Sequence, residues 1–138
     1  MKSIFKVTGA VLFGMSLAAQ AEVAVIVHPS NGDSLSQDEI QRVFLAKTKT
    51  FPSGAQAVPI DFDDGVAVKD MFVSNVLSRD TSQIKAYWAK LVFTGKANPP
   101  KTVATDSEML SLIAANPNMI GYIDAAKVTA DVKVVGTF

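Results

Sequence analysis

Three carboxylates lie within four residues of one another, at Asp61, Asp63 and Asp64. Oxygen ligands at this density could bind a hard cation such as calcium. The spacing does not match an EF-hand loop, however, and no glutamate closes it. We favour the simpler interpretation, in which Asp63 or Asp64 caps the helix that begins after Gly65. No metal site is predicted.

The loop from Asp64 to Lys69 is nevertheless a candidate ligand-binding segment. A helix start that carries its own carboxylate suits an anion poorly, because the amide donors are taken and the charge repels it. Lys69, one turn into the helix, could compensate in part or could simply be a solvated lysine. Asp64, Gly65 and Lys69 are therefore retained as candidate ligand-binding residues.

A second candidate segment follows the first predicted strand, at Ser30, Asn31 and Gly32. Loops at the carboxyl ends of strands are where open α/β sheets bind ligands. The same residue types also form ordinary turns.

Tyr87, Trp88 and Phe93 could form an aromatic shelf for a ligand. At their helical spacing we expect them to lie in the core or at its edge.

Enzyme chemistry has little support in this sequence. His28 is the only histidine, so a histidine metal cluster is impossible and a Ser-His-Asp triad would depend on this one residue. We expect a structural or solvent-edge role for it. Neither a P-loop nor a dinucleotide fingerprint is present. We predict no catalytic residues, no cofactor and no enzymatic activity.

The elements that must position these residues alternate between strands and helices. Apolar runs predict strands at residues 22–27, 57–62, 119–123 and 132–135. Helical periodicity predicts helices at residues 37–46, after Gly65, from Thr81 or Ser82 to Phe93, and from a cap at Asp106 or Ser107 to about residue 116. Asn98-Pro99-Pro100 is read as a loop. This order predicts an α/β domain with a central, partly parallel sheet and about four helices.

Residues 1–21 have the features of a secretory signal peptide. Lys2 and Lys6 precede an apolar stretch, and Ala19-Gln20-Ala21 supplies the small residues of a cleavage site. We therefore expect a mature domain of residues 22–138 in the periplasm or outside the cell. The alternative is a buried first helix.

Charge and cysteine content limit the partners of this mature domain. Removal of the signal leaves 11 basic and 13 acidic residues, a net charge of −2, with the basic residues scattered along the chain. Nucleic-acid binding is not expected. The chain has no cysteine, which excludes disulfides and a lipoprotein anchor.

Three ordered segments resemble the phosphate-binding proteins of ABC transporters. Leu35–Lys47 (LSQDEIQRVFLAK) is similar to the family's helix that leads into an "IFxGK" turn. Ala86–Lys96 (AYWAKLVFTGK), followed by two prolines, is similar to short members of the family. Asn116–Ile123 (NPNMIGYI) resembles its "IGYV" strand. The resemblance implies a type 2 periplasmic-binding-protein fold.

The resemblance also shows what this chain lacks. Full-length receptors close two lobes over the anion, whereas 117 residues have room for one. The family's anion motif is Arg-x-Asp-x-Ser-Gly-Thr. In the family a phenylalanine follows four residues after the threonine. With Phe72 in that place, counting back without gaps puts Phe62 at the arginine, Asp64 at the aspartate and residues 66–68 at the Ser-Gly-Thr. Only the carboxylate is kept, and a buried anion needs several charged or hydroxyl donors.

Two functions follow as hypotheses. The first is a periplasmic solute-binding protein for phosphate or another small anion, in which a second copy of the chain or a partner would enclose the ligand. The second is an interaction module that contacts a transporter permease, a sensor or another envelope component.

Overall fold

The computed structural model describes residues 21–138, which form an α/β fold with a five-stranded mixed sheet and four α-helices. The predicted signal peptide lies outside the described residues, except for Ala21. In chain order the elements are β1 (Val23–Val27), α1 (Gln37–Phe44), β2 (Val58–Phe62), α2 (Ala67–Asn75), α3 (Thr81–Phe93), β3 (Lys101–Val103), α4 (Asp106–Ala115), β4 (Met119–Asp124), a 3-10 turn (Ala125–Lys127) and β5 (Lys133–Thr137). The predicted α/β class is confirmed.

The strands are arranged in the order β3-β2-β4-β1-β5. β1 is antiparallel to both of its neighbours, β4 and β5. β2 is parallel to β3 and to β4. β1 and β2 therefore run in opposite directions, and their carboxyl ends lie at opposite ends of the strands in the sheet.

The short strand β3 was not predicted. It comprises three residues directly after Pro99-Pro100 and pairs only with β2, at the edge of the sheet. Two of its residues are exposed, so it lacks the apolar run by which a strand is recognised in a sequence.

Several helix ends are as predicted. Ser36 and Glu39 form the expected capping box of α1. Gly95, with a φ of +68°, ends α3 in the left-handed conformation, as expected. The cap of α4 was predicted one or two residues late, because Thr105 is the N-cap and its hydroxyl accepts a hydrogen bond from the Glu108 amide.

The core lies against both faces of β1, all five of whose residues are buried. Four aromatic rings pack beside it. Phe72 stacks on Tyr122 with ring centroids 3.8 Å apart, and Phe44 and Phe62 meet Tyr122 edge to face. Since Tyr122 lies on β4 and Phe72 on α2, this stack fixes α2 against the middle of the sheet.

None of the helices in residues 21–138 has the length and apolar character that a membrane crossing requires.

The close approach of α4 to β4 requires glycine at position 121, which gives the first testable prediction. A Cβ atom at Gly121 would lie 2.5 Å from Met109 Sδ and 3.1 Å from Ile113 Cδ1. We expect Gly121→Val to lower the free energy of unfolding by about 1–3 kcal/mol through overpacking. Urea denaturation measures this change. The matched control is Gly32→Val, where a Cβ meets nothing within 4 Å; equal stability of the two variants would contradict the packing argument.

Candidate functional site

The carboxyl end of β2 positions one of the two candidate segments. The strand leads through Asp63, Asp64 and Gly65 into α2. Gly65 has a φ of +88°, so it turns the chain in the left-handed region. The Asp63 amide donates a hydrogen bond to Val103 O at the end of β3, at 2.9 Å. The turn is thus held against the edge strand, and Asp63, Asp64 and Lys69 are brought to one place.

The prediction that Asp63 or Asp64 caps α2 is wrong. The N-cap is Val66, and no side chain accepts a hydrogen bond from the first turn. The turn at Gly65 and Val66 separates both carboxylates from that position. Asp64 instead contacts Lys69.

Lys69 is neither a solvated lysine nor free to bind an anion. Its Nζ lies 3.0 Å from Asp64 Oδ1 and 3.6 Å from Asp61 Oδ2, and it donates a hydrogen bond of 3.0 Å to the Phe62 carbonyl. Only 13% of its side chain is exposed. The ammonium group therefore has three oxygen partners within the chain.

Asp61 joins this ion pair to the core. Its Oδ1 accepts hydrogen bonds from the Phe62 amide, at 2.8 Å, and from the Tyr122 hydroxyl. Burial, with the charge and hydrogen bond of Asp61, raises the pKa of Tyr122 far above its usual range. Tyr122 therefore acts as a neutral donor. No sequence motif pointed to this residue, although a tyrosine in a buried strand needs a partner for its hydroxyl, and that need could have indicated it.

The charges of the site exclude an easy approach by an anion. Asp61, Asp63 and Asp64 outnumber Lys69, and Asp63 is exposed without a salt bridge to any of residues 21–138. Lys85 is close enough to help lower the pKa of Asp64, although the hydrogen bond and charge of Lys69 have the larger effect. With both lysines counted, the cluster still has a net negative charge.

A cleft of about 360 Å³ opens beside these carboxylates. Trp88 and Ile84 of α3 form one wall, and the segment before β3 forms another with Pro99 and Pro100. Within residues 21–138, no three His, Cys, Asp or Glu side chains are grouped so that they could hold a metal ion.

The second candidate segment lies at the opposite end of the sheet's strands, because β1 is antiparallel to β4 whereas β2 is parallel to it. Ser30 and Asn31 make local hydrogen bonds: Ser30 Oγ lies 2.7 Å from His28 Nδ1, and Asn31 Oδ1 accepts from the Asp33 amide at 2.8 Å. Together with Gly32 they line a separate depression of about 500 Å³. The six predicted site residues therefore belong to two places rather than one.

The predicted aromatic shelf is split. Tyr87 is half-buried and its hydroxyl donates to Leu45 O at 2.6 Å, while Trp88 packs against it at the core edge as expected. Phe93 was expected there too, but 92% of it is exposed. It lies nine residues after the buried Ile84, which places it on the opposite side of α3.

A second prediction follows from the partners of Lys69. We expect Lys69→Met to lower the free energy of unfolding at pH 7 by about 1–3 kcal/mol, because Asp61, only 16% exposed, loses its cation. The pH dependence should also change. Lys69 lowers the pKa of Asp64 in the folded state, so this contribution is present above the ordinary aspartate pKa and is lost as the pH falls through the folded value.

The wild type should therefore lose more stability than Lys69→Met when the pH falls from about 5 to about 3. Urea midpoints across this range measure the difference. Lys85→Met is the matched control, since Lys85 is exposed and acts on Asp64 only through its charge. The same stability and pH dependence in both variants would show that the Lys69 ion pairs contribute nothing.

The fold is similar to that of known proteins, although the sequence is not. No family model matches the chain, and none of the curated proteins matches its sequence. Among solved structures, an ABC-type phosphate transport receptor from Vibrio cholerae is similar with a TM-score of 0.67 and 15% identity, over 83% of this chain and 45% of the receptor. A phosphate ABC transporter substrate-binding protein with bound phosphate from Clostridium perfringens is similar with a TM-score of 0.65 and 20% identity, over 83% of this chain and 44% of that protein. PstS from Borrelia burgdorferi is similar with a TM-score of 0.61 and 10% identity, over 83% of this chain and 46% of PstS. The chain thus has the fold of phosphate-transport receptors and spans less than half the length of each.

Proposed function

We propose that the protein works outside the cytoplasm as a non-enzymatic binding module, built on one lobe of the phosphate-receptor fold. Its partner in this proposal is a protein of the cell envelope, such as a transporter permease or a sensor. The receptors with the same fold support a binding role without catalysis. The signal-like sequence of residues 1–21 supports a periplasmic location.

The contacts that Lys69 makes within the chain are the observation that favours a protein partner over phosphate. The resemblance in sequence aligns the loop after β2 with the anion motif of the family. In this chain the one cation of that loop is bound to Asp61, Asp64 and the Phe62 carbonyl. An incoming phosphate would have to break these contacts and face three carboxylates.

A small solute remains the second candidate, favoured by the cleft beside Trp88. A single lobe leaves this cleft open on one side. A second copy of the chain, or a partner, would have to close it. A neutral or cationic solute suits the carboxylates there better than an anion does.

The third prediction concerns phosphate itself. We expect isothermal titration of the protein with phosphate, and in parallel with sulfate, to show no binding tighter than about 1 mM at physiological salt. The melting temperature should likewise not rise with either anion. The reason is the negative charge of the loop and the engagement of Lys69.

Variants make the outcome decisive. Micromolar phosphate binding that Lys69→Met abolishes and Lys85→Met leaves intact would contradict the proposal and make Lys69 a ligand.

For the protein partner, a photo-crosslinking residue in place of the exposed Asp63 should give, in intact cells, an adduct heavier than a dimer of the chain. The same photo-crosslinking residue in place of Ser53, beside the second candidate segment at the opposite end of the strands, is the positional control. An adduct of dimer mass, or none, would favour the solute-binding alternative.

The fourth prediction tests the location. Expression of the full chain in a Gram-negative host should release, on osmotic shock, a protein whose mass corresponds to a chain beginning at Glu22. Replacement of Ala19 and Ala21 by bulky residues should leave the uncut chain in the membrane fraction. Recovery of uncut wild-type protein in the cytoplasm would contradict export.

A further inference from the structure

The end of helix α3 carries the most exposed large apolar side chain of the described fold. Phe93, the last residue of α3, is 92% exposed, and its neighbour Val92 is 50% exposed. Gly95 turns the chain immediately afterwards, so both side chains lie at a projecting end of the helix. No packing within residues 21–138 accounts for a phenylalanine in this position.

The sequence on either side of this apolar end contains lysines and no acidic residue. Residues 81–105 contain Lys85, Lys90, Lys96 and Lys101, all exposed, and neither aspartate, glutamate nor arginine. The lysines are spaced five or six residues apart, and this segment has a charge of +4. The rest of residues 22–138 has seven basic and 13 acidic residues, a charge of −6.

The positions of two lysines bring charge next to Phe93. Lys90 precedes it by three residues in the same helix, a spacing that puts the two side chains on one face. Lys96 follows just past the turn at Gly95. Neither lysine forms a salt bridge with another residue of the described chain.

We propose that this surface, defined by Lys90, Val92, Phe93 and Lys96, is a docking site for the anionic phospholipid surface of a membrane. An exposed aromatic side chain enters the interface between headgroups and acyl chains, and flanking lysines are attracted by anionic headgroups. The excess negative charge of the remaining chain orients the protein with this end toward the lipid. The contact is reversible and peripheral, and it requires no membrane-crossing helix.

A lipid surface fits these residues better than a protein surface does. Stable protein interfaces bury about 800 Å² on each partner and favour arginine while lysine is depleted. Here the cations are all lysines, and the large apolar part consists of two side chains at a helix end. A fluid anionic surface needs no complementary shape and tolerates flexible lysines.

The fifth prediction tests this with vesicles. Residues 22–138 contain all five strands and the whole described core, so this chain is the folded unit to use. We expect it to cosediment with vesicles of phosphatidylcholine and phosphatidylglycerol at low salt, and much less with phosphatidylcholine alone. Salt well above about 0.1 M should weaken the binding by screening.

Two variants with matched controls separate the apolar and charged parts. Phe93→Ser should lower vesicle partitioning about tenfold, whereas Val134→Ser, which removes another exposed apolar side chain on β5, should not. The double variant Lys90→Glu/Lys96→Glu should lower it at least about tenfold. Lys47→Glu/Lys49→Glu makes the same change of charge on exposed lysines after α1 and should have a much smaller effect.

All four variants alter exposed side chains, so circular dichroism and thermal unfolding should match the wild type. Absence of binding to anionic vesicles at low salt would overturn the proposal. So would equal binding by Phe93→Ser and the wild type. A crosslink from position 93 to an acidic protein, without vesicle binding, would assign the surface to a protein partner instead.

Discussion

The hydrogen-bonded chain from Tyr122 through Asp61 to Lys69 is the interaction on which the rest of the structure depends. It joins the central strand β4, the end of β2 and the first turn of α2. A carboxylate that is only 16% exposed needs both donors and a cation, and Asp61 has all three: the Phe62 amide, the Tyr122 hydroxyl and Lys69. Because Tyr122 also stacks on Phe72, the same residues fix the direction in which α2 leaves the sheet.

This interaction gives the loop after β2 an internal ion pair. A receptor loop must present unsatisfied donors to its ligand, so its cations cannot have partners within the chain. Here the partners are built in, and Lys69 stabilises the fold through contacts that a receptor would keep for the solute. The likeness to phosphate receptors lies in the backbone, over less than half of their length. Fold and ligand are separate questions in this chain.

The sequence predicts the elements better than the site. The strands of residues 22–27 and 119–123, and the capping box of Ser36 and Glu39, follow from local patterns that tertiary packing did not override. The antiparallel pairing of β1 with β4 is not local, and it separates Ser30–Gly32 from the loop after β2. The hydrogen bond between Tyr122 and Asp61 was equally out of reach, because these two residues are 61 positions apart in the chain. Phe93 was placed wrongly although its position nine residues after Ile84 puts the two side chains on opposite sides of α3, so helical spacing alone could have excluded it from the core face.

The distribution of charge gives the two ends of the structure different roles. The carboxylates after β2 are partly neutralised by Lys69 and Lys85, and they surround a cleft whose walls are already packed against the core. At the end of α3 the lysines have no such partners among the described residues, and an exposed phenylalanine lies between them. Folding does not bury that ring, so Phe93 adds no hydrophobic stabilisation to the described fold. An exposed aromatic with unpaired cations thus indicates a contact outside the chain, whereas Asp61 and Asp64 of the carboxylate cluster have a cation partner within it.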